Sequence, residues 1–151
     1  MVRDILAIIC DVDWPMPVRI KFHPSMNWKK YEGMIPEKFS VSNESIQELL
    51  AKTLMVAGSS TGVLIEALSL GIPVISINKS SSFSHDFMPE IGKGLIWDRA
   101  EGAEGVSKLI AQFQDTIDKN STRLKEEGIR VRSFCVSEPT NELIDQAFEL
   151  G

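Results

Sequence analysis

The sequence predicts an α/β fold, a parallel sheet of about five strands with helices on both faces. Two observations carry this expectation. Short apolar runs alternate with segments of helical periodicity along the chain. One stretch shows the repeating unit plainly: Leu54-Met55-Val56-Ala57 enters the turn Gly58-Ser59-Ser60-Thr61-Gly62, which opens into a helical stretch over 63–70. Gly71 ends that stretch, and Pro73 starts a second apolar run over 74–77. Parallel β-α-β units with right-handed crossovers follow from this alternation.

Each element has its own warrant. Residues 5–12 are apolar; Ile5, Leu6, Ile8 and Ile9 fit a helix face, yet the run is short enough for a strand, and both readings stand. Asp13-Trp14-Pro15-Met16-Pro17 breaks the chain. Val18-Arg19-Ile20-Lys21-Phe22 alternates apolar and basic residues as a strand does, and His23-Pro24-Ser25 ends it. Residues 27–36 read as a loop. Phe39-Ser40-Val41 is a short second strand. Ser42 or Asn43 then caps a helix over 44–52, with acids in its first turn. Residues 79–93 read as a loop with Ser80, Ser81, Ser82, His85 and Asp86, and Gly94-Leu95-Ile96-Trp97 as a last short strand. Val106, Leu109, Ile110, Phe113 and Ile117 recur at helical spacing and mark a long amphipathic helix. Residues 121–133 form another helix, weakened by Gly128. Thr140 caps a final one with Leu143, Ile144, Ala147 and Phe148 on one face.

Composition narrows the class. A chain of 151 residues, 43% hydrophobic and 25% charged, fits one soluble globular domain. A net charge of −5 without a Lys/Arg cluster argues against a nucleic-acid surface. Cys10 and Cys135 are too few and too far apart for a disulfide scaffold or a metal site, and read as reduced thiols of a cytoplasmic protein. No apolar run approaches the ~20 residues of a membrane span, and Met1-Val2-Arg3-Asp4 does not open a signal peptide. Asn120-Ser121-Thr122 matches a glycosylation sequon, which carries weight only behind a secretory signal. With two histidines and two distant cysteines, metal-ligand spacing is absent. A Ser/His/Asp hydrolase is taken as a poor fit. Neither a Walker pattern nor Gly-x-Gly-x-x-Gly occurs, against an NTPase or a dehydrogenase.

The turn at Ser59, Ser60, Thr61 and Gly62 carries the chemistry. A helix that starts there points free N–H groups and its positive dipole end at whatever sits in the turn, and small side chains let an anion come close. It reads as an anion-binding turn for a nucleotide diphosphate. The competing reading is an ordinary N-cap, since Ser and Thr are good caps. Ligands of parallel sheets bind outside the carboxyl ends of the strands. His23-Pro24-Ser25 and residues 59–62 both follow strands, so they should share one edge and one crevice. Glu66 lies one helical turn beyond the hydroxyl-rich turn. Lys21 reads first as solvent-facing alternation and second as a ligand contact. Ser80, Ser81, Ser82 and His85 read first as a surface loop and second as a donor-binding loop. Trp14, Trp28 and Trp97 are packing residues; any could stack on a base, and nothing selects one.

Taken together, Lys21-Phe22-His23-Pro24, the helix-capping segment, residues 58–62, Glu66-Ala67 and Leu70-Gly71-Ile72-Pro73-Val74-Ile75 resemble the C-terminal half of a two-domain GT-B glycosyltransferase. The bacterial enzymes of capsule, lipopolysaccharide and related surface-carbohydrate synthesis are closest in flavour. The resemblance covers about 18–99 well and the C-terminal helices loosely. It implies a single Rossmann-like domain over 1–151, one half of a GT-B fold, that grips a nucleotide-sugar donor without a further cofactor or a metal. Ser59, Ser60, Thr61 and Gly62 would hold the donor's phosphates. Glu66 would accept hydrogen bonds from ribose or sugar hydroxyls. His23 would approach the phosphate or base, and Lys21 would add charge. Many relatives carry Arg-Pro where this chain has Lys21-Phe22, which puts bidentate phosphate recognition there in doubt.

The same resemblance implies an N-terminal acceptor domain outside these residues and an opening strand ahead of the first helix. It therefore implies a fragment that is inactive by itself, cytoplasmic and held peripherally at the inner membrane through the missing domain. A bare sheet edge would favour a homodimer. Other readings stay open: a nucleotide-sugar 2-epimerase or polyol-phosphate transferase of similar fold, or a non-catalytic Rossmann-like oligomerisation domain.

Overall fold

Val74, Ile75, Ser76 and Ile77 are all buried and form β4 (Val74–Ile77), the central strand of a three-stranded parallel sheet. A strand buried on both faces reads as a continuous apolar run, and this one does. It pairs with β3 (Val56–Gly58) on one side and β5 (Trp97–Ala100) on the other, in the order β3-β4-β5. The register aligns Val56 with Val74 and Trp97, and Gly58 with Ser76 and Arg99. The computed structural model describes residues 1–59, 62–78 and 88–135. Ser60, Thr61, most of the expected loop (including Ser80, Ser81, Ser82, His85 and Asp86) and the helix expected after Thr140 lie outside them.

Side-chain alternation gives the sheet two apolar faces. Val56, Val74 and Trp97 join one core with α2 (Ile46–Leu50), α3 (Gly62–Ser69) and α5 (Ser121–Cys135). Ala57, Ile75, Ile77 and Ala100 join another with α1 (Val2–Asp11) and α4 (Gly102–Lys119). Helices therefore cover both faces of this sheet, as expected.

The apolar run at 5–12 resolves into α1, whose Ile5, Ile8 and Ile9 pack on the second core. Trp14 in the breaker segment closes back on it, its indole N–H donating to the Ile9 carbonyl at 2.8 Å. The long amphipathic helix is α4, with Val106, Leu109, Ile110 and Phe113 buried as their spacing requires. Three boundaries move. Ser45, not Ser42 or Asn43, caps α2, because only Ser45 has Glu48 three residues on to complete a capping box. β5 starts at Trp97, the residue where the expected strand ends, because Gly92 and Gly94 at φ +75° and +79° turn the chain just before it. α5 runs unbroken through Gly128, which is buried.

The remaining strands form a second sheet. β1 (Arg19–Ile20) and β2 (Ser40–Val41) pair in parallel, with Arg19 opposite Ser40 and Ile20 opposite Val41. A 3-10 helix, Trp28–Met34, occupies much of the expected loop between them. The described residues thus hold five strands, in two parallel sheets rather than one. The cause is in the pairing: among the described residues β1 forms a ladder with β2 alone and β3 with β4 alone. No helix among the described residues is long and apolar enough to cross a membrane.

Candidate functional site

β1 and β2 end side by side, and the segments that leave them enclose a cleft of about 310 Å³. Lys21, Phe22, His23 and Pro24 line it from β1, Val41, Ser42 and Asn43 from β2, with Met26 and Trp28 across the opening. This is the carboxyl end of parallel strands, where such sheets take ligands.

His23 is held in place locally. The turn from His23 to Met26 closes with the Met26 N–H donating to the His23 carbonyl at 2.8 Å. Pro24 in the second position of that turn presets its backbone angle. The Ser25 backbone N–H donates to His23 Nδ1 at 3.2 Å, and Ser25 Oγ lies 2.7 Å from the same nitrogen. A backbone N–H can only donate, so Nδ1 accepts and the neutral ring carries its proton on Nε2. The exposed ring therefore keeps one N–H donor for a ligand.

The opposite lip is held by charge. Ser42 Oγ accepts the Glu44 N–H at 3.2 Å and donates to Glu44 Oε2 at 3.1 Å. Arg19 of β1 reaches the same oxygen at 3.0 Å, and Lys52 beyond α2 bonds to Oε1. The hydrogen bond from Lys52 leads in holding the Glu44 carboxyl below its usual range, with Ser42 and the charges of Lys52 and Arg19 adding to it. Glu44 thus ties β1, the Ser42-Asn43 lip and the end of α2 into one unit.

Three aromatic rings stack beside the cleft, and two of them, Phe22 and Trp28, line it. Phe22 lies nearly parallel to Trp28, 15° apart with centroids at 6.4 Å, and to Tyr31, 9° apart at 6.0 Å. Among the tryptophans Trp28 is the one that lines the cleft. The Trp14 indole is spent on Ile9, and Trp97 is fully buried with its N–H on the Ile91 carbonyl at 3.0 Å. A cation, a ring N–H, a side-chain amide and an aromatic face together suit a planar ligand with negative charge.

The structure thus brings Lys21 and His23 together. Ser59, Gly62 and Glu66 sit elsewhere, at the carboxyl end of β3 and on α3, and do not line this cleft. Ser59 and Glu66 are half-buried and Gly62 is exposed. A Cβ on Gly62 would meet nothing within 4 Å, so packing does not demand glycine there. Lys21 and His23 follow β1 of one sheet, whereas Ser59 and Gly62 follow β3 of the other. Sequence reasoning missed Trp28 and Asn43 as lining residues. Asn43 had a legible signal, since it follows a strand as His23 does; Trp28 depends on how the 3-10 helix folds back. Among the described residues no cluster of His, Cys, Asp or Glu gathers as metal ligands would.

One sequence expectation needs correction. Gly58-Ser59-Ser60-Thr61-Gly62 has Gly-x-Ser-x-Gly spacing, and it joins β3 to α3 as a nucleophile elbow joins a strand to a helix. The sequence therefore does not set a serine hydrolase aside.

Fold and site define an α/β protein with parallel strands and a ligand-sized cleft at their carboxyl ends. No family model, curated protein or solved structure matches the chain.

Proposed function

We propose that this chain is the nucleotide-sugar donor-binding domain of a glycosyltransferase of bacterial surface-polysaccharide synthesis. The observation that carries the reading is the meeting of Lys21, His23 and Trp28 in one cleft at the carboxyl ends of β1 and β2. Lys21 supplies charge to the diphosphate, the Nε2–H of His23 donates to a phosphate oxygen, and Trp28 offers a face to the base. Gly62 and its neighbours at the head of α3 present backbone N–H groups to the phosphates, and Glu66 takes ribose or sugar hydroxyls. The chemical contribution is electrostatic: fixed donors stabilise the charge growing on the departing diphosphate. The acceptor and the general base belong to an acceptor domain outside these residues, on the cytoplasmic side, where the donor is.

Titration with UDP, CMP, GDP and CDP, followed by amide shifts, tests this. Selective binding with shifts at Lys21, His23, Gly62 and Glu66 is the expected outcome and names the donor class. No shift with any of them at millimolar concentration overturns it. Turnover of a nucleotide sugar by this chain alone would favour an epimerase of similar fold. The elbow spacing supports a second reading as a serine hydrolase, for which cleavage of an activated ester, lost in Ser60→Ala, is the test.

A further inference from the structure

We infer that β1 and β3 flank one strand position that no described residue fills, and that it takes a parallel apolar strand leading directly into α1. Doubly wound sheets run in the order 3-2-1-4-5-6. Without its strand 1, such a sheet falls into a pair, 3-2, and a trio, 4-5-6. The observed sheets are the pair β2-β1 and the trio β3-β4-β5, every pairing parallel. Number, order and direction all agree.

The helices change face at the same seam. α1 packs on the Ile75 face of the sheet, and the 3-10 helix after β1 touches α1, with the Cys10 thiol donating to the Met34 carbonyl at 3.4 Å. α2 and α3 pack on the opposite, Val74 face. Crossovers on either side of the first strand of a doubly wound fold divide in this way.

The edges themselves differ. β5, the other edge of this sheet among the described residues, carries Asp98 and Arg99, the charge that edge strands use against pairing. β3 carries none: Ala57, with Met55 just ahead of the strand, packs into one core and Val56 into the other, as in an interior strand. Its bonding also leaves one side open. Val56 donates to Pro73 beside β4, so the peptide groups of Ala57 face the other way. On β1, the carbonyls of Val18 and Ile20 accept from Ser40 and Ser42 of the β2 side, which leaves the groups of Arg19 facing away from β2.

Connectivity names the occupant. A strand that feeds α1 and returns through it to β1 runs parallel to β1, and consecutive strands most often lie side by side. One side of β1 already holds β2, so the strand takes the other. Filling the position would set the carboxyl ends of β1 and β3 about two strand spacings apart, roughly 9.6 Å. The Lys21-His23 cleft and the head of α3 would then form one crevice. This inference does not rest on the proposed nucleotide-sugar ligand.

The test adds a strand. Five β-branched residues and a short polar turn are fused ahead of Met1, and a Gly/Ser extension of equal length serves as control. The expected result is hydrogen exchange at the Arg19 and Ala57 amides slowed at least tenfold against the control. In the unextended monomer, Ala57 should exchange as an open edge while Val56 is protected. Equal exchange in both extended chains overturns the inference, as does protection of Ala57 in the unextended monomer. So does an unextended chain that dimerises and protects Ala57 by pairing with a second copy. Nucleotide binding measured on the same proteins is read separately, so either proposal can fail alone.

Discussion

A Cβ built on Gly128 would stand 2.5 Å from the amide nitrogen of Gly71 and 3.0 Å from the Leu68 carbonyl oxygen. The backbone of α5 touches the end of α3 there, with no room for a side chain. Gly71 in turn holds φ +77°, which ends α3 and sends the chain toward β4. We expect Gly128→Ala to lower stability by about 2–3 kcal/mol, the upper range for overpacking, because the obstruction is backbone. Urea denaturation measures it. Ile129→Ala, at a residue 64% exposed, should change little.

Ser76 is fully buried in β4, and its hydroxyl has no hydrogen-bond partner among the described residues. A buried hydroxyl without a partner carries its full desolvation cost. Ser76→Ala should therefore hold stability or raise it by about 1 kcal/mol. A fall in Tm would show that the hydroxyl bonds to something.

The Glu44 carboxyl is more acidic when folded than its ordinary value of 4.5. A depressed carboxylate stabilises the fold above the ordinary value and loses that contribution as pH falls through the folded one. Glu48 behaves alike, chiefly because the Ser45 backbone N–H donates to it. Stability should thus decline below about pH 4.5, and Glu44→Gln should flatten part of that decline. Urea midpoints across an acid series give the answer. Ser45→Ala should cost about 1 kcal/mol at neutral pH through the lost cap.

Lys21→Gln should weaken nucleoside diphosphate binding about tenfold, the loss of one charge-assisted contact. Trp28 should report the same event: its fluorescence should change on binding, and Trp28→Leu should abolish the signal. Signal retained in that variant would place the base elsewhere.

The sequence made some elements legible and hid others for identifiable reasons. β4 was readable because four consecutive apolar-flanked buried positions sit between Pro73 and a polar residue. α4 was readable because its apolar spacing holds over a long helix. Gly128 read as a defect because propensity counts only the helix's own backbone, and the glycine is required by Gly71, far away in sequence. The start of β5 was displaced because the left-handed turns at Gly92 and Gly94 consume the first apolar residues of the run. In the site, strand-end logic singled out His23, whereas Lys21 read first as solvent-facing alternation. Trp28 was not legible, because its place depends on stacking against Phe22. The division into two sheets was invisible, since a run of strands names its members and not their neighbours.

The Gly71–Gly128 crossing lies at the amino ends of the strands, whereas Lys21, His23 and Asn43 lie at the carboxyl ends. The crossing fixes α5 against the end of α3, while the cleft lining belongs to the segments around the ends of β1 and β2. Substitutions at exposed cleft positions such as His23 and Asn43 leave the backbone contact of that crossing untouched. New recognition can evolve, or be selected from a library, on a chassis that such changes leave assembled.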